Sequence, residues 1–227
     1  MRETVLWGQH VDEYQQMFGL SDSDIHSRLL EYGCGATAVN AQLHARGQSI
    51  ISCDPLFTFD KLRLDQSVQS TFDEAVQHLN VAHEQYDFSY YGGLTSLIAK
   101  RRQGIDRCLA DYEAGRMEKR YLPLEHDALP FEDFSFDLAL CSHFLFVSID
   151  EQDVDFHLRC IRELARVAKE VRIFPLIDES GQPSPALGPS LLGLQQENYG
   201  VEIRKVDYQL QRGGNAMLRV WALECQV

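Results

Sequence analysis

The sequence predicts an α/β sandwich: a mostly parallel seven-stranded sheet with an antiparallel C-terminal hairpin and a helical insertion near its middle. Three observations predict it. The first fifty-five residues read strand, helix, strand, which is the unit of a parallel sheet. Strands alternate with helices again after residue 120, and the last two strands flank the turn Arg212-Gly213-Gly214-Asn215. The 227 residues fit one domain, 1–227, with residues 56–120 as an insertion within it. A chain of this length buries enough apolar surface to hold a core without disulfides or metal.

Val11–Phe18 reads as a short amphipathic helix with Val11, Tyr14 and Phe18 on one face, ended by Gly19. Ser21–Asp24 is turn and capping chemistry. Arg28–Tyr32 is a strand running into Gly33-Cys34-Gly35. A helix from about Ala38 to Arg46 stops at Gly47, and Ser49–Cys53 is the second strand, closed by Asp54-Pro55. The crossover between these strands is expected to be right-handed. From Leu56 to Arg120 helical periodicity dominates: Phe72, Ala75, Val76 and Leu79 recur at three and four, as do Leu97, Ile98, Arg101 and Ile105. The aromatic-rich stretch Tyr86–Gly93 lies between those helices as a loop. Tyr121–His126 is the third strand, ending at Asp127. Phe136–Cys141 is a near-continuous apolar strand, as expected of one buried on both faces. Val154–Val167 is a helix and Val171–Ile177 a strand. Pro183, Pro185 and Pro189 mark a loop before a helix at Leu191–Asn198, and Val201–Leu210 with Met217–Leu223 form the hairpin.

Lys and Arg number 21 against 34 Asp and Glu, a net charge of −13. A field of that sign repels phosphate backbones and anionic lipids, so neither nucleic acid nor a membrane surface is an expected partner. The N-terminal residues carry no apolar run long enough for a signal peptide or a span. The 6 cysteines show no metal-binding spacing, so reduced thiols and a cytoplasmic location are expected. His78 and His83 with Glu84 are spaced i, i+5, which does not place both rings on one helical face, so no metal site is expected.

The most informative stretch is Leu29-Leu30-Glu31-Tyr32-Gly33-Cys34-Gly35-Ala36-Thr37-Ala38. A strand enters, glycines turn and a helix leaves, so backbone amides are set at a helix N-terminus where a ligand can approach closely. Asp54, nineteen residues after Gly35, closes the next strand. A carboxylate there can accept hydrogen bonds from both ribose hydroxyls of a nucleotide-like ligand. Gly33, Gly35 and Ala38 satisfy the dinucleotide fingerprint GxGxxG/A. Glu31 argues the other way: its charge would crowd a pyrophosphate and suits a ligand carrying an amine and a sulfonium.

Glu31, Gly33 and Gly35 are similar to the first motif of class I S-adenosylmethionine-dependent methyltransferases, acidic-x-Gly-x-Gly-x-Gly, with Thr37 in place of the third glycine. Ser52-Cys53-Asp54-Pro55 resembles that family's second strand, Glu125–Phe131 its third strand and following loop, and Phe136–His143 its fourth-strand motif. Ile161–Val167 resembles the helix after it, and the C-terminal hairpin the reversed seventh strand that separates this Rossmann-like fold from dinucleotide-binding sheets. Leu129–Phe146 with Val171–Leu176 resembles a bacterial group of such enzymes for which the resemblance implies a reaction type and no substrate. It implies that S-adenosylmethionine is held by Glu31, Gly33, Cys34, Gly35, Asp54, Pro55, Asp127, Ala128 and Cys141. Asp127 would meet the adenine amino group with Ala128 beside the ring, and S-adenosylhomocysteine would be the product.

His143, just beyond the fourth strand, is the candidate general base, its ordinary pKa range suiting the role. Tyr90 and Tyr91 are candidates for an acceptor pocket or for packing within the insertion. Cys141-Ser142-His143-Phe144 stands where the Asn/Asp-Pro-Pro-Tyr/Phe signature of amide and adenine-amine methylation would be. Basic runs at Lys100-Arg101-Arg102 and at Arg116 with Lys119-Arg120 could receive an anionic substrate group, but read first as charges on exposed helices balanced by neighbouring acids. The acceptor is then a small molecule or a protein side chain. A nicotinamide-dependent oxidoreductase and a non-catalytic S-adenosylmethionine-binding regulator remain as alternatives. The oligomeric state is open, and the insertion could serve as a lid, as a homodimer arm or as both.

Overall fold

Leu29–Tyr32 is buried along its whole length, as a strand covered on both faces must be, and it forms the centre of the sheet. The computed structural model of the chain describes residues 7–124, 128–147 and 154–223. Among these, β1 (Leu29–Tyr32), β2 (Ile50–Asp54), β3 (Tyr121–Pro123), β4 (Phe136–Ser142), β5 (Ala168–Phe174), β6 (Tyr199–Lys205) and β7 (Ala216–Ala222) form one sheet. Its order is β3-β2-β1-β4-β5-β7-β6. The pairs from β3 through to β5 are parallel, whereas β7 runs antiparallel to both β5 and β6. The expected mostly parallel seven-stranded sheet with a reversed C-terminal hairpin is present. Strand order reverses between β1 and β4, each of which starts a chain of neighbours running outward.

Helices cover both faces. Leu29, Leu138 and Leu140 pack with residues of α1 (Val11–Phe18), α3 (Val39–His44), α4 (Lys61–Val81) and α5 (Leu94–Met117). Leu30, Tyr32, Ala139 and Cys141 face the other way, onto α6 (Val154–Val167) and α7 (Leu187–Gln196). The period-two alternation of the strands therefore divides the core into two apolar layers.

Several boundaries differ from the sequence reading, each for a local reason. Ser21–Asp24 is more than a turn: Ser21 caps α2 (Asp22–Ile25), and its hydroxyl and amide exchange bonds with Asp24 at 3.2 and 2.9 Å. β5 starts at Ala168, directly after α6, and stops before Pro175, which has no N–H to give a ladder. α7 begins at Leu187 and takes Pro189 into its first turn, where amides need no helical partner. β6 ends at Lys205 because the chain then turns to the insertion, and Leu210 accepts a bond from the Asp87 amide at 2.7 Å.

Between β2 and β3 the chain is helical. α4 and α5 bury Leu64, Val68, Phe72, Ala75 and Leu79 from one, and Leu97, Ile105, Cys108 and Tyr112 from the other. The basic run Lys100-Arg101-Arg102 is not an exposed face. Arg101 is fully buried, paired with equally buried Glu13 of α1, and donates to the hydroxyls of Tyr91 at 2.9 Å and Tyr208 at 3.1 Å. Arg120 is likewise buried, held by Asp111 at 2.7 Å. A helical period brings apolar and basic residues to one face alike, and only the distant acids of α1 and α5 make burial of these arginines affordable. The N-terminal segment is pinched in the same place. A Cβ on Gly8 would lie 2.1 Å from the Arg101 carbonyl oxygen, and one on Gly104 would lie 2.1 Å from the Gly8 carbonyl oxygen. Arg212 and Gln85 add a backbone bond of 2.8 Å between the insertion and the hairpin loop. Among the described residues no helix is long and apolar enough to cross a membrane, and Cys34, Cys53, Cys108, Cys141 and Cys160 are buried free thiols.

Removing one partner of a buried ion pair strands the other charge and costs about 3–5 kcal/mol. Glu13→Ala is therefore expected to lower the urea-unfolding free energy by that amount. Lys100→Ala, which breaks a partly exposed pair with Asp12 and a longer one of 3.9 Å with Glu13 but leaves the Glu13–Arg101 pair in place, should change it by less than about 1 kcal/mol. Equal effects from the two variants would show that Arg101 does not depend on Glu13.

Candidate functional site

In open α/β sheets a crevice forms beyond the carboxyl ends of the strands where the strand order reverses. Here that point lies between β1 and β4, and the Gly33–Gly35 turn leaves β1 there. Tyr32 pairs in register with Cys53 of β2 on one side and Cys141 of β4 on the other. The sequence-predicted residues Glu31, Gly33, Cys34, Gly35, Asp54, Pro55 and Cys141 thus come together at the ends of three adjacent strands. Ala128 is exposed on the loop after β3. Asp127 lies outside the described residues.

The turn is held from below by a carboxylate. Glu31 is fully buried and accepts bonds from the Thr37 hydroxyl at 3.1 Å and from the Ser52 hydroxyl. Thr37, which replaces the motif's third glycine, thereby supplies a donor that glycine lacks. Asn40 Nδ2 donates to Ser52 at 2.8 Å and to the Arg120 carbonyl at 3.2 Å, and the Arg120 guanidinium returns a bond to Asn40 Oδ1 at 2.5 Å. Glu31, Ser52, Asn40 and Arg120 therefore form one buried chain that runs from β1 to the partly buried Asp111 of α5.

Asp54 closes the turn from the side. Its Oδ2 accepts the Gly35 amide at 2.7 Å and its Oδ1 the Leu56 amide at 2.8 Å, where Pro55 opens a 3-10 turn. Gly33 and Gly35 have φ of 62° and 65°, the left-handed region that glycine enters without strain. A Cβ on Gly33 would meet the Phe144 ring at 2.3 Å, and one on Gly35 would meet the Trp7 indole at 2.2 Å. Two aromatic rings of this chain thus wall the turn, a role for its glycines that spacing alone does not reveal.

Beyond β4, His143 also sits at positive φ, 55°. Its amide donates to the Phe174 carbonyl at 2.8 Å, and its Nδ1 shares a hydrogen with the Ser142 hydroxyl at 2.8 Å. Burial, and then the positive charge of Arg101, push its pKa down to about 3. The imidazole is therefore less basic than the ordinary range assumed from the sequence, first because it is buried and then because Arg101 lies in the core rather than on the surface. Tyr91 joins the Glu13–Arg101–Tyr208 cluster, while Tyr90 is 42% exposed with its ring 5.5 Å from that of Tyr208. His78 and His83 lie against the rings of Tyr86 and Phe88.

No family profile matches the sequence. An uncharacterised protein of Methanocaldococcus jannaschii is 26% identical over 219 residues, covering 96% of each chain. That relative is archaeal, whereas the resemblance in the motifs was to a bacterial group. Among solved structures, a SAM-dependent methyltransferase of Methanosarcina mazei shares 14% identity over 96% of this chain and 100% of its own, with a TM-score of 0.47. Magnesium protoporphyrin IX methyltransferase of Synechocystis, solved with bound SAH, shares 11% over 93% and 84%, with a TM-score of 0.46. Likeness this low carries no argument about this chain; its reversed seventh strand is the feature that the motif resemblance implies.

Burial raises the Glu31 pKa to about 7, against the bonds from Ser52 and Thr37, with the Asp54 charge adding to the rise. Asp54 itself is raised to about 6 by burial. A raised acid stabilises the fold while protonated. Glu31 therefore contributes stability that is complete below its unfolded pKa and is lost as pH rises from about 4 to about 7. His143 has the opposite sign: its depressed pKa costs stability as pH falls from about 6 towards 3. The difference between wild type and Glu31→Gln isolates the first effect. We expect it to change by on the order of 3 kcal/mol across pH 4–7 in chemical-denaturation series. A flat difference would place the Glu31 pKa near its ordinary value.

Proposed function

We propose that this chain transfers a methyl group from S-adenosylmethionine to a small-molecule or side-chain acceptor. The observation that carries the reading is the Gly33–Gly35 turn at the β1/β4 reversal, beside the Asp54 carboxylate, in a sheet whose seventh strand is reversed. The residues fit the donor. Each Asp54 oxygen holds one amide and retains a further lone pair, so ribose hydroxyls find acceptors there. Two buried acids side by side, one raising the pKa of the other, gain from a ligand carrying an ammonium and a sulfonium and lose from a pyrophosphate. That sign disfavours a nicotinamide dinucleotide.

Glu31, Gly33, Cys34, Gly35, Asp54, Pro55, Asp127, Ala128 and Cys141 would hold the donor, as the motif resemblance implies, with Trp7 and Phe144 as apolar walls of the turn. When bound, S-adenosylmethionine supplies a methyl made electrophilic by its positive sulfur. The chain's own work is to align the acceptor, exclude water and deal with one proton. His143, neutral and held by Ser142, would orient the acceptor. A base this weak takes a proton only from an acceptor that is already acidic or that becomes so on methylation.

Calorimetric titration of the full chain tests the reading. S-adenosylhomocysteine should bind with micromolar affinity and NADH should not. Asp54→Ala should weaken that binding by roughly 1–3 kcal/mol, the cost of unpairing buried hydroxyls. Binding of NADH alone would replace the methyltransferase with a dehydrogenase. Tight S-adenosylhomocysteine binding without turnover of any acceptor would mark a regulatory binding protein.

A further inference from the structure

The outer edge of the sheet carries a second feature, independent of the site. Among the described residues β6 is the terminal strand, paired with β7 alone. Within that pair the Val206 amide donates to the Asn215 carbonyl and the Leu223 amide to the Asn198 carbonyl. Even-numbered residues of β6 therefore spend their backbone groups on β7. In an antiparallel ladder the odd ones, Val201, Ile203 and Lys205 among them, turn theirs outward. Ile203 is 50% exposed at the centre of this edge. Leu192 on α7, which packs on β6, and Leu223 at the end of β7 are exposed as well.

Charges alternate across the same end of the sheet. Asp24 pairs with Arg172 at 3.2 Å, Arg172 with Glu170 at 2.6 Å, and Glu170 with Arg219 at 2.7 Å. Arg219 then meets Glu202 at 2.6 Å and Glu202 meets Arg204 at 3.1 Å. The ladder crosses β5, β7 and β6 and stops at the open edge with an acid and a base two residues apart.

We infer that β6 pairs antiparallel with β6 of a second copy of this chain, about a two-fold axis through Ile203. In that register Ile203 exchanges both backbone bonds with the partner's Ile203, and Val201 does so with the partner's Lys205. Glu202 then faces the partner's Arg204, and Arg204 the partner's Glu202, so the charge ladder continues across the axis without a break. Moving the axis one residue either way sets Glu202 against the partner's Glu202, or Arg204 against the partner's Arg204, and like charges directly opposite are destabilising. An isologous contact of this kind closes after one copy is added and leaves no β6 edge free.

Sedimentation equilibrium of the full chain from about 1 to about 100 µM should give a mass approaching twice 25.9 kDa. Ile203→Pro removes an outward N–H and leaves the β6–β7 ladder intact, so the variant should fold and sediment as a monomer. Arg204→Glu sets acid against acid and should raise the dissociation constant by about tenfold or more. Mixing it with Glu202→Arg should restore the dimer, because each copy then offers what the other lacks. Circular dichroism checks that the variants fold, and Arg204→Glu decides alone if Ile203→Pro does not. A wild type that stays monomeric across the range, or folded variants that remain as dimeric as the wild type, would overturn the inference.

Discussion

A carboxylate removed from water at the end of a central strand has to be met by donors, and at Glu31 every donor comes from a different part of the chain. Thr37 brings the start of α3, Ser52 brings β2, and Asn40 and Arg120 extend the contact to α5 and the residue before β3. Burying the acid is costly by itself, so the cost enforces a geometry: if β1, β2 and the turn are out of place, the charge is unpaired. The glycine turn is thus set less by its own flexibility than by the demand beneath it. A ligand reaching this place would meet a turn already fixed, with Asp54 held by two backbone amides rather than waiting loose.

The helical segment between β2 and β3 is organised by the same rule. Arg101 and Glu13 sit in the core with the hydroxyls of Tyr91 and Tyr208 around them. Through them α1, α5, the aromatic loop and the stretch after β6 share one polar centre. That centre also lies close enough to His143 for its charge to be felt. His143, beyond β4, therefore feels a charge carried by α5, in addition to the larger effect of its own burial.

Much of the fold was legible in the sequence because periodicity reports burial. Val11–Phe18 and Val154–Val167 were read to the residue, and Phe136–Ser142 nearly so, since apolar spacing alone decides them. Glu31, Gly33, Gly35 and Asp54 were legible as a group because a turn between strand and helix needs particular residue types. Thr37, Ser52, Asn40 and Arg120 were not, since a hydroxyl or amide shows no sign in sequence of which distant group it will meet. Arg101 was misread for the same reason. Local pattern marks a basic residue as surface, and only a partner eighty-eight positions away makes it core. Phe144 and Trp7 against the glycines were equally hidden, since nothing near either ring points to the turn.

The close approach of Gly8 to α5 has a consequence for how the protein is made. Gly8 rests against Arg101 and Gly104, and its amide bonds to Ala36. During synthesis the N-terminal segment leaves the ribosome long before its other wall exists. At roughly 5–20 residues per second, α5 follows about 5–20 seconds later. Until then the first helix has an apolar face and a buried-type acid, Glu13, with no counter-charge. The opening βα unit can begin to form, but its N-terminal strap cannot lock. The nascent chain is therefore expected to pass through an interval in which Gly8 and the first helix lack their wall, and to lock them only when α5 arrives.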